Sequence, residues 1–367
     1  MKRIVYKLLR YFNYTLILGL VLAYISIYVN PEKSWFFAFF GLGYPFLLGA
    51  NVLFVLFWII KKKKFFLIPL LVILLGWNYM SSLVQISFRS TNKNKVENTV
   101  FSILTYNIRL FDLYDWNKDE NTSGKIFEYV NSVNPDFICF QEYYTKLSGD
   151  ITEAKVASFL GDQYQTHINY TIKNTKSNYG IATYTKFPII NRGVIQFTDS
   201  PNSSIYTDVV IDKDTIRIFN CHLQSIRFNS NNYSFISNSK EFNDEDRMKE
   251  IKDISSRLRD AFVKRAGQAK ILSQHISNSP YPVIVCGDFN DVPVSYTYHV
   301  IKKDLKDSFS ESGSGIGNTY LGKFPSFRID YILHSPTIEC VDYEISSVNL
   351  SDHSPVRGEF CIKKQES

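Results

Sequence analysis

The sequence of 367 residues has few cysteines, and none of them stands in a metal-binding pattern. Its five cysteines form no CxxC pair, so their spacing argues against a zinc-ribbon type of site and against a disulfide framework. Cys139, Cys221 and Cys286 lie in or beside apolar runs. We therefore predict that they are small buried side chains of a hydrophobic core.

Acidic residues are nearly absent from the first quarter of the chain. Residues 1–97 hold 2 of the 35 Asp and Glu but 12 of the 41 Lys and Arg, which leaves the remainder with a net charge of −4. That remainder lacks the positive field that attracts polyanions, which counts against a dedicated nucleic-acid binder. A bound divalent cation would change the local field.

Three long apolar runs occupy this first part, at residues 12–29, 35–60 and 65–84. A helix needs about 20 apolar residues to cross the hydrocarbon of a bilayer. The first run has no small-residue cleavage site and two more runs follow it, so an anchor is favoured over a signal peptide followed by core helices. We predict a transmembrane region at residues 1–84 with about three helices; Gly43 and Pro45 leave room for a fourth.

The basic residues predict how this region is oriented. Eight basic residues lie on one side of the membrane region, before the first run and at Lys61–Lys64, and four lie on the other side. The excess predicts a cytoplasmic N-terminus, and with three spans it places the rest of the protein outside the cytoplasm. The predicted location is therefore a multi-pass membrane protein with an extracytoplasmic domain, although a fourth span would reverse the side.

After the apolar runs, residues 85–98 are rich in Ser, Asn, Lys and Thr and predict a linker to a domain at 99–363. Helices are predicted near 123–133, capped by Thr122-Ser123, and over 250–277, and a hairpin turn is predicted at Asp212–Thr215. The alternation of strands and helices indicates an α+β domain. The polar segment 225–249 is either a substrate-recognition insertion or a disordered loop, since both are usual for long connections.

Polar side chains follow several short apolar runs of this domain, where buried strands are expected to end. Strands that deliver polar groups from a core hold catalytic residues rigidly. Carboxylates and amides suit Mg2+ or Mn2+ better than zinc. Taken singly, Asp288 and Asp352 also fit turn formers, and His222 also fits a structural histidine. The residues of this set are Asn107, Glu142, His222, Asp288, Asn290, Asp330, Asp352 and His353.

Six short motifs carry these residues in one order, and together they resemble the endonuclease/exonuclease/phosphatase superfamily of DNase I-like enzymes. The motifs are Tyr106-Asn107-Ile108-Arg109, Gln141-Glu142, Asn220-Cys221-His222-Leu223, Gly287-Asp288-Phe289-Asn290, Arg328-Ile329-Asp330-Tyr331 and Ser351-Asp352-His353-Ser354-Pro355. The resemblance implies a four-layer α/β/β/α sandwich, in which helices flank two packed β-sheets. It also implies a hydrolase that cleaves phosphoesters with a divalent metal, Mg2+ or Mn2+, and an activated water.

The resemblance assigns a role to each residue of the set. It implies a metal held by Glu142, Asn107 and Asp352, and a water activated by Asp288. It implies that Asn290 holds the water or a phosphate oxygen, that Asp330 fixes the tautomer of His353, and that His353 contacts the phosphate. His222 is a second phosphate contact or a general acid. Arg109 follows its motif and is predicted to bind substrate.

Three functions remain open at this point. The first is a nuclease-like phosphodiesterase outside the cytoplasm. The second is a sphingomyelinase-like phosphodiesterase or phosphatase that acts on lipid head groups, and the third is a membrane scaffold without catalysis. The expected partner is a phosphodiester substrate, either nucleic acid or a lipid head group. The chain is expected to be embedded in a membrane, with no obligate protein partner.

Overall fold

A computed structural model describes residues 2–85, 99–117, 121–198, 200–238, 242–322 and 325–363. The helices are α1 (Lys2–Ser26), α2 (Phe36–Leu42), α3 (Tyr44–Ile60), α4 (Leu67–Leu75), α5 (Trp77–Ser81), α6 (Thr122–Val133), α7 (Glu153–Leu160), α8 (Ser230–Asn238), α9 (Asp244–Ser277), α10 (Tyr296–Lys302) and α11 (Ser308–Ser312). The strands are β1 (Val84–Gln85), β2 (Val100–Asn107), β3 (Phe137–Lys146), β4 (Gln165–Lys173), β5 (Ser177–Thr185), β6 (Ile189–Gln196), β7 (Ser203–Ile211), β8 (Asp214–His222), β9 (Val283–Asp288), β10 (Lys306–Asp307), β11 (Gly315–Ile316), β12 (Asp330–His334), β13 (Ile338–Ile345) and β14 (Val356–Ile362).

Two six-stranded sheets form the centre of the fold, in the orders β13-β14-β2-β3-β5-β4 and β10-β12-β9-β8-β7-β6. Their inner faces are apolar and pack on each other through side chains such as Phe101, Phe137, Ile218 and Ile332. Helices α6 and α7 cover the outer face of the first sheet, and α9 and α10 cover that of the second. This arrangement confirms the predicted α+β, four-layer sandwich.

Two parallel strand pairs bring the predicted polar residues to one edge of the sandwich. In the first sheet β2 runs parallel to β3, with Asn107 opposite Gln141. In the second sheet β8 runs parallel to β9, with His222 opposite Asp288. Strand β12 is antiparallel to β9 and begins with Asp330 opposite Asp288. The ends of four strands and the start of a fifth therefore meet where the two sheets face each other.

Several local predictions are confirmed and others need correction. The hairpin of β7 and β8 turns at residues 212–213, as predicted, and the five cysteines are free and buried. Helix α6 begins at Thr122, whose hydroxyl donates to Asp112 at 2.9 Å, so the predicted cap at Thr122 is wrong. Helix α9 begins six residues early because the side chain of Asn243 accepts from Asp246 N at 2.8 Å.

The N-terminal helices differ from the predicted three spans. Helix Arg3–Ser26 is long and apolar enough to cross a membrane, and α2 and α3 qualify only as a pair bent by 61°. A single such helix near an N-terminus is also a feature of signal sequences and of core helices. The third apolar run is divided at Gly76 into α4 and α5, which are each too short to span. A side chain at Gly76 would meet the Tyr24 hydroxyl at 2.1 Å, so the break accommodates a close contact.

The predicted linker is corrected at its first residue. Gln85 belongs to β1, which pairs with β11 in a separate two-stranded sheet. Residues 86–98 lie outside the part of the chain that the structure describes. The segment 225–249, for which a recognition insertion and a disordered loop were both open, contains α8 and the first residues of α9.

Candidate functional site

Asp288 lies at the centre of the site because β9 delivers it between the two sheets. The preceding residue, Gly287, has φ +128°, and a Cβ there would lie 2.1 Å from the carbonyl oxygen of Cys221 on β8. Only glycine allows this approach of the two strands without strain. The close pairing of β8 and β9 therefore holds Asp288 and His222 side by side.

Three hydrogen bonds fix the Asp288 carboxylate. The backbone N of Asn290 donates to Oδ1 at 2.8 Å, and its side-chain Nδ2 donates to Oδ2 at 2.9 Å. Asn107 Nδ2 donates to Oδ2 at 3.0 Å from the other sheet. Asn290 has φ +54°, a left-handed backbone conformation that asparagine tolerates. Burial raises the pKa of the Asp288 carboxyl to about 7, while the positive charge of His353 opposes that rise.

His353 and Asp330 form a buried dyad beside Asp288. His353 Nδ1 donates to Asp330 Oδ2 at 2.9 Å and lies 3.1 Å from Oδ1, which leaves Nε2 directed toward Asp288 at 3.8 Å. Burial alone would lower the pKa of His353, but the negative charges of Asp330 and Asp288 raise it well above its ordinary value. The dyad therefore presents a cationic imidazole N–H to the site.

His222 faces Asp288 from β8 without such a partner. Its Nε2 lies 3.8 Å from Asp288 Oδ2 and 3.9 Å from Glu142 Oε1, and no atom of the described residues hydrogen-bonds to this buried nitrogen. Burial, with smaller contributions from His353 and Arg227, lowers the pKa of His222 to about 3. This histidine is therefore neutral, which argues against the general-acid alternative and favours a neutral donor.

Glu142 and Asp352 form the acidic side of the site. Glu142 occupies a bulge of β3 with φ +50°, a strained backbone of the kind that clusters at functional sites. Burial and then the charge of Asp352 raise the pKa of Glu142, and Asn107 Nδ2 lies 3.4 Å from its Oε1. Two carboxylates that repel each other beside an amide are a donor set that fits a hard divalent cation.

A second acidic group is formed by Asp288, Asp330 and His353, whose ligand atoms lie within 4.8 Å of one another. Asp330 and the His353 Nδ1 already satisfy each other, and both oxygens of Asp288 accept hydrogen bonds. This group therefore has less free ligand capacity than Glu142 and Asp352.

Arg109 lies at the rim of the site. Its Nε is 3.4 Å from Asp352 Oδ2, and its guanidinium stacks over the Trp116 ring at 4.1 Å. Sequence reasoning did not find Trp116, because the residue lies outside every motif and has no polar signal of its own. Arg109 and Trp116 both line the cleft.

The site opens into a cleft of about 510 Å³. Glu142, Asp288, Asn290, Asp352, His353 and Arg109 all line it. Phe228 and Tyr233, which belong to the segment 225–249, also line the cleft, so this segment borders the site. The structure therefore brings the nine predicted residues together, with His222, Asp330 and Asn107 hydrogen-bonded or in close contact behind the lining residues.

Two family models match the chain. One is described as the Endonuclease/Exonuclease/phosphatase family and matches residues 104–353, and the other is described as a domain of unknown function (DUF8431) and matches residues 6–83. A comparison with curated proteins found no match.

Solved structures share the fold. The endonuclease/exonuclease/phosphatase from Beutenbergia cavernae is 17% identical, with a TM-score of 0.50 over 72% of each chain. Humanized TDP2 from D. rerio is 16% identical, with a TM-score of 0.50 over 71% of this chain and 98% of its own. ANGEL2, described as a 2',3'-cyclic phosphatase, is 16% identical, with a TM-score of 0.53 over 73% and 97%.

Proposed function

Because the chain belongs to the endonuclease/exonuclease/phosphatase family, whose members hydrolyse phosphoesters, we propose that it is a divalent-metal-dependent phosphodiesterase. The observation that carries this proposal is the convergence of Asp288, the His353–Asp330 dyad and the Glu142–Asp352 pair on one cleft. Because members of the family are enzymes, the scaffold hypothesis is not retained.

In the proposed mechanism Asp288 accepts a proton from the attacking water. Its carboxylate is held by Asn290 and Asn107, and a carboxyl whose pKa is raised toward neutrality is suited to accept a proton at neutral pH. Asn290 orients Asp288 with both its backbone and its side chain. Asn290 and Asn107 together donate three hydrogen bonds to the Asp288 carboxylate, so one of its roughly four lone-pair directions remains for the water.

The proposal gives the two histidines different roles. His353 donates a charge-assisted hydrogen bond from Nε2 to a phosphate oxygen, while Asp330 holds the Nδ1 proton and the ring orientation. His222 donates from a neutral ring to a second oxygen, because its lowered pKa leaves it uncharged. Arg109 contacts the phosphate from the rim.

Glu142, Asp352 and Asn107 are proposed to hold the metal, with Mg2+ or Mn2+ as the ion. A divalent ion bound there would supply Lewis-acid polarisation of the phosphoryl group and stabilise the leaving oxygen. The bulge in β3 directs Glu142 toward Asp352, and the charge repulsion between the two carboxylates supports a cation between them.

We also propose that the helices of residues 2–81 anchor the enzyme in a membrane. Helix α1 lies antiparallel to α3, with Asn13, Asn51 and Trp58 joined by buried hydrogen bonds. Lys63 stacks on Tyr6 and Arg10 on Phe65, so the basic residues gather at the end far from the sandwich. A cytoplasmic location of that end would leave the catalytic domain outside the cytoplasm.

The test uses the full chain in detergent micelles with bis(para-nitrophenyl) phosphate and Mg2+. Asp288→Ala should lower kcat/KM by about 10²–10⁴-fold, the usual contribution of a positioned base. The matched control is Asp304→Ala, since the Asp304 side chain is 82% exposed and pairs with its neighbour Lys303. Equal activity of Asp288→Ala and Asp304→Ala would refute the role of Asp288.

A nucleotide phosphoester is one candidate substrate, and it agrees with the predicted nuclease-like activity. ANGEL2 is described in complex with adenosine-2',3'-vanadate. The net charge of −4 outside residues 1–97 argues against a long nucleic acid as substrate, because a negatively charged domain repels a polyanion. Binding that weakens steeply with added salt would support the nucleic-acid candidate.

A further inference from the structure

The N-terminal helices pack directly on the sandwich beside the cleft. A Cβ at Gly41 of α2 would lie 2.2 Å from the carbonyl oxygen of Val294, and Ser26 Oγ approaches the same oxygen at 3.5 Å. Val294 is buried together with Leu20, Ala23 and other side chains of the helices. Phe39 packs edge-on against Phe262 of α9, with ring centroids 5.4 Å apart. The close approach at Gly41 indicates a defined interface.

One wall of the catalytic cleft is built at this interface. Leu42, the last residue of α2, packs with Val292, Phe327 and Ile329 in a single apolar cluster. The same four residues line the cleft that contains Asp288 and His353. Phe46 of α3 continues this surface, with its ring 6.4 Å from that of Phe327. An apolar wall shared between the helices and the sandwich therefore runs up to the catalytic carboxylate.

The helices place this wall at the level of a bilayer surface. Helix α1 has 25 residues, or about 37 Å at 1.5 Å per residue, enough for the roughly 30 Å of hydrocarbon. Its C-terminal end meets the sandwich at Ser26, and its N-terminal end carries the basic residues. A bilayer around the helices would therefore bring lipid head groups to the mouth of the cleft.

Side chains that face outward from the helices fit lipid better than water. Leu8, Leu53, Leu71 and Leu75 are between 59% and 75% exposed. Phe46, beside the apolar wall, is 60% exposed. Contiguous exposed apolar surface of this kind marks contact with a membrane or a partner. Here the apolar surface of the helices continues to the wall of the cleft.

The charges of the cleft suit one phosphate and not a chain of phosphates. Among its described lining residues, Arg265 is ion-paired with the buried Asp291 at 3.1 Å and Arg109 lies 3.4 Å from Asp352, which leaves Arg227 at the rim and the cationic His353 at the floor. Nucleic-acid grooves neutralise several phosphates at once. A lipid head group presents a single phosphodiester on an apolar body, which matches one polar floor and one apolar wall.

We infer that α2 and α3 complete the active site, and that its substrate is a phosphodiester carried by a membrane lipid. The inference rests on the proposed phosphodiesterase function and adds the substrate class. The lipid's glycerol or sphingoid backbone lies along Leu42, Phe327 and Phe46, and its phosphate reaches Asp288 and His353. Water cleaves the phosphorus–oxygen bond, and a phosphorylated product and an alcohol are released.

The test uses the full chain reconstituted in vesicles of equimolar phosphatidylcholine, phosphatidylglycerol and sphingomyelin with Mg2+. Phosphorus NMR and mass spectrometry detect any released head group, and bis(para-nitrophenyl) phosphate is assayed in parallel. The variants are Leu42→Asp and the more exposed Phe46→Asp, which is the safer one for folding. Leu147→Asp is the matched control, since Leu147 is 60% exposed and lies outside the cleft.

We expect lipid turnover by the wild type, and a fall of at least about tenfold in the ratio of lipid to aryl turnover in both wall variants. Loss of a large apolar side chain that is buried against the lipid should weaken binding roughly tenfold or more. Leu147→Asp should keep the wild-type ratio. Helical circular dichroism equal to the wild type shows that each variant is folded.

The outcomes separate the inference from the proposed function. Aryl turnover without lipid turnover would overturn the lipid inference and leave the phosphodiesterase intact. An unchanged ratio in both wall variants would likewise overturn the shared wall. Failure to cleave even the aryl phosphodiester would refute the phosphodiesterase itself.

Discussion

Replacing Asp330 with asparagine tests the dyad most directly. Asp330 is 2% exposed and holds the Nδ1 proton of His353 at 2.9 Å, while its own backbone N donates to Thr319 Oγ1. Asparagine has the same shape but no charge, so His353 loses a charge-assisted hydrogen bond. Hydrogen bonds to charged groups contribute about 1.5–3 kcal/mol, so kcat/KM should fall about tenfold to 150-fold.

The pH profile adds a second consequence of Asp330→Asn. His353 donates to phosphate only when protonated, so its contribution is present below its pKa and is lost as pH rises through it. Asp330 and Asp288 raise this pKa, and removal of the Asp330 charge lowers it. The alkaline limb of kcat/KM should therefore move to lower pH in Asp330→Asn. A residue that served only packing would leave the limb in place.

The assay is hydrolysis of bis(para-nitrophenyl) phosphate from neutral to alkaline pH, with melting temperatures measured in parallel. Asp304→Asn is the control, because that side chain is exposed and distant from the cleft. If Asp330→Asn kept the wild-type alkaline limb, or lost less than about twofold in kcat/KM, the assigned role of the dyad would be wrong.

Three further predictions concern stability and metal. Gly287→Ala should destabilise the fold by about 1–3 kcal/mol or more in chemical unfolding, since position 287 has φ +128° and a Cβ there would lie 2.1 Å from Cys221 O. A variant as stable as the wild type would contradict the close approach of β8 and β9. Arg328→Met should lower the free energy of unfolding by about 3–5 kcal/mol because it leaves the fully buried Asp307 without its cation, and adding Asp307→Asn should restore part of the loss. An Arg328→Met protein as stable as the wild type would contradict this pairing. Chelation of the metal should abolish hydrolysis. Mg2+ at about 100 times its Kd should stabilise the wild type by about 2.7 kcal/mol in thermal unfolding and should not stabilise Glu142→Gln. Equal stabilisation of both proteins would exclude Glu142 as a ligand.

Local patterns in the sequence predicted an α+β domain and the polar residues at its strand ends, whereas the four-layer sandwich was predicted only from the resemblance to the family. Apolar runs that end in Asn107, His222 and Asp288 are visible without a structure, and parallel strands place such ends at one edge. Glu142 needed more than the pattern. Its direction comes from a bulge between β3 and β5, and the unpaired residue of a bulge depends on how two strands align.

The helical region was harder to predict because composition does not determine where a helix breaks. The third apolar run satisfies the length rule, yet it stops at Gly76, where Tyr24 from α1 occupies the space of a side chain. The contact joins residues 52 positions apart in the sequence. Hydropathy averages over such tertiary contacts, and so it predicted a third span where the structure has two short helices.

The two histidines also show why residue type alone does not determine a role. His353 and His222 each lie with Nε2 3.8 Å from Asp288 Oδ2, yet one is cationic and the other neutral. Asp330 hydrogen-bonds to Nδ1 of His353, whereas no atom of the described residues hydrogen-bonds to Nε2 of His222, whose pKa is lowered mainly by burial. His222 also lies 3.9 Å from Glu142, where a positive charge would compete with a metal for the carboxylate. In the proposed mechanism, a neutral His222 therefore leaves the Glu142 side of the site to the proposed divalent cation, while His353 supplies positive charge on the side of Asp330.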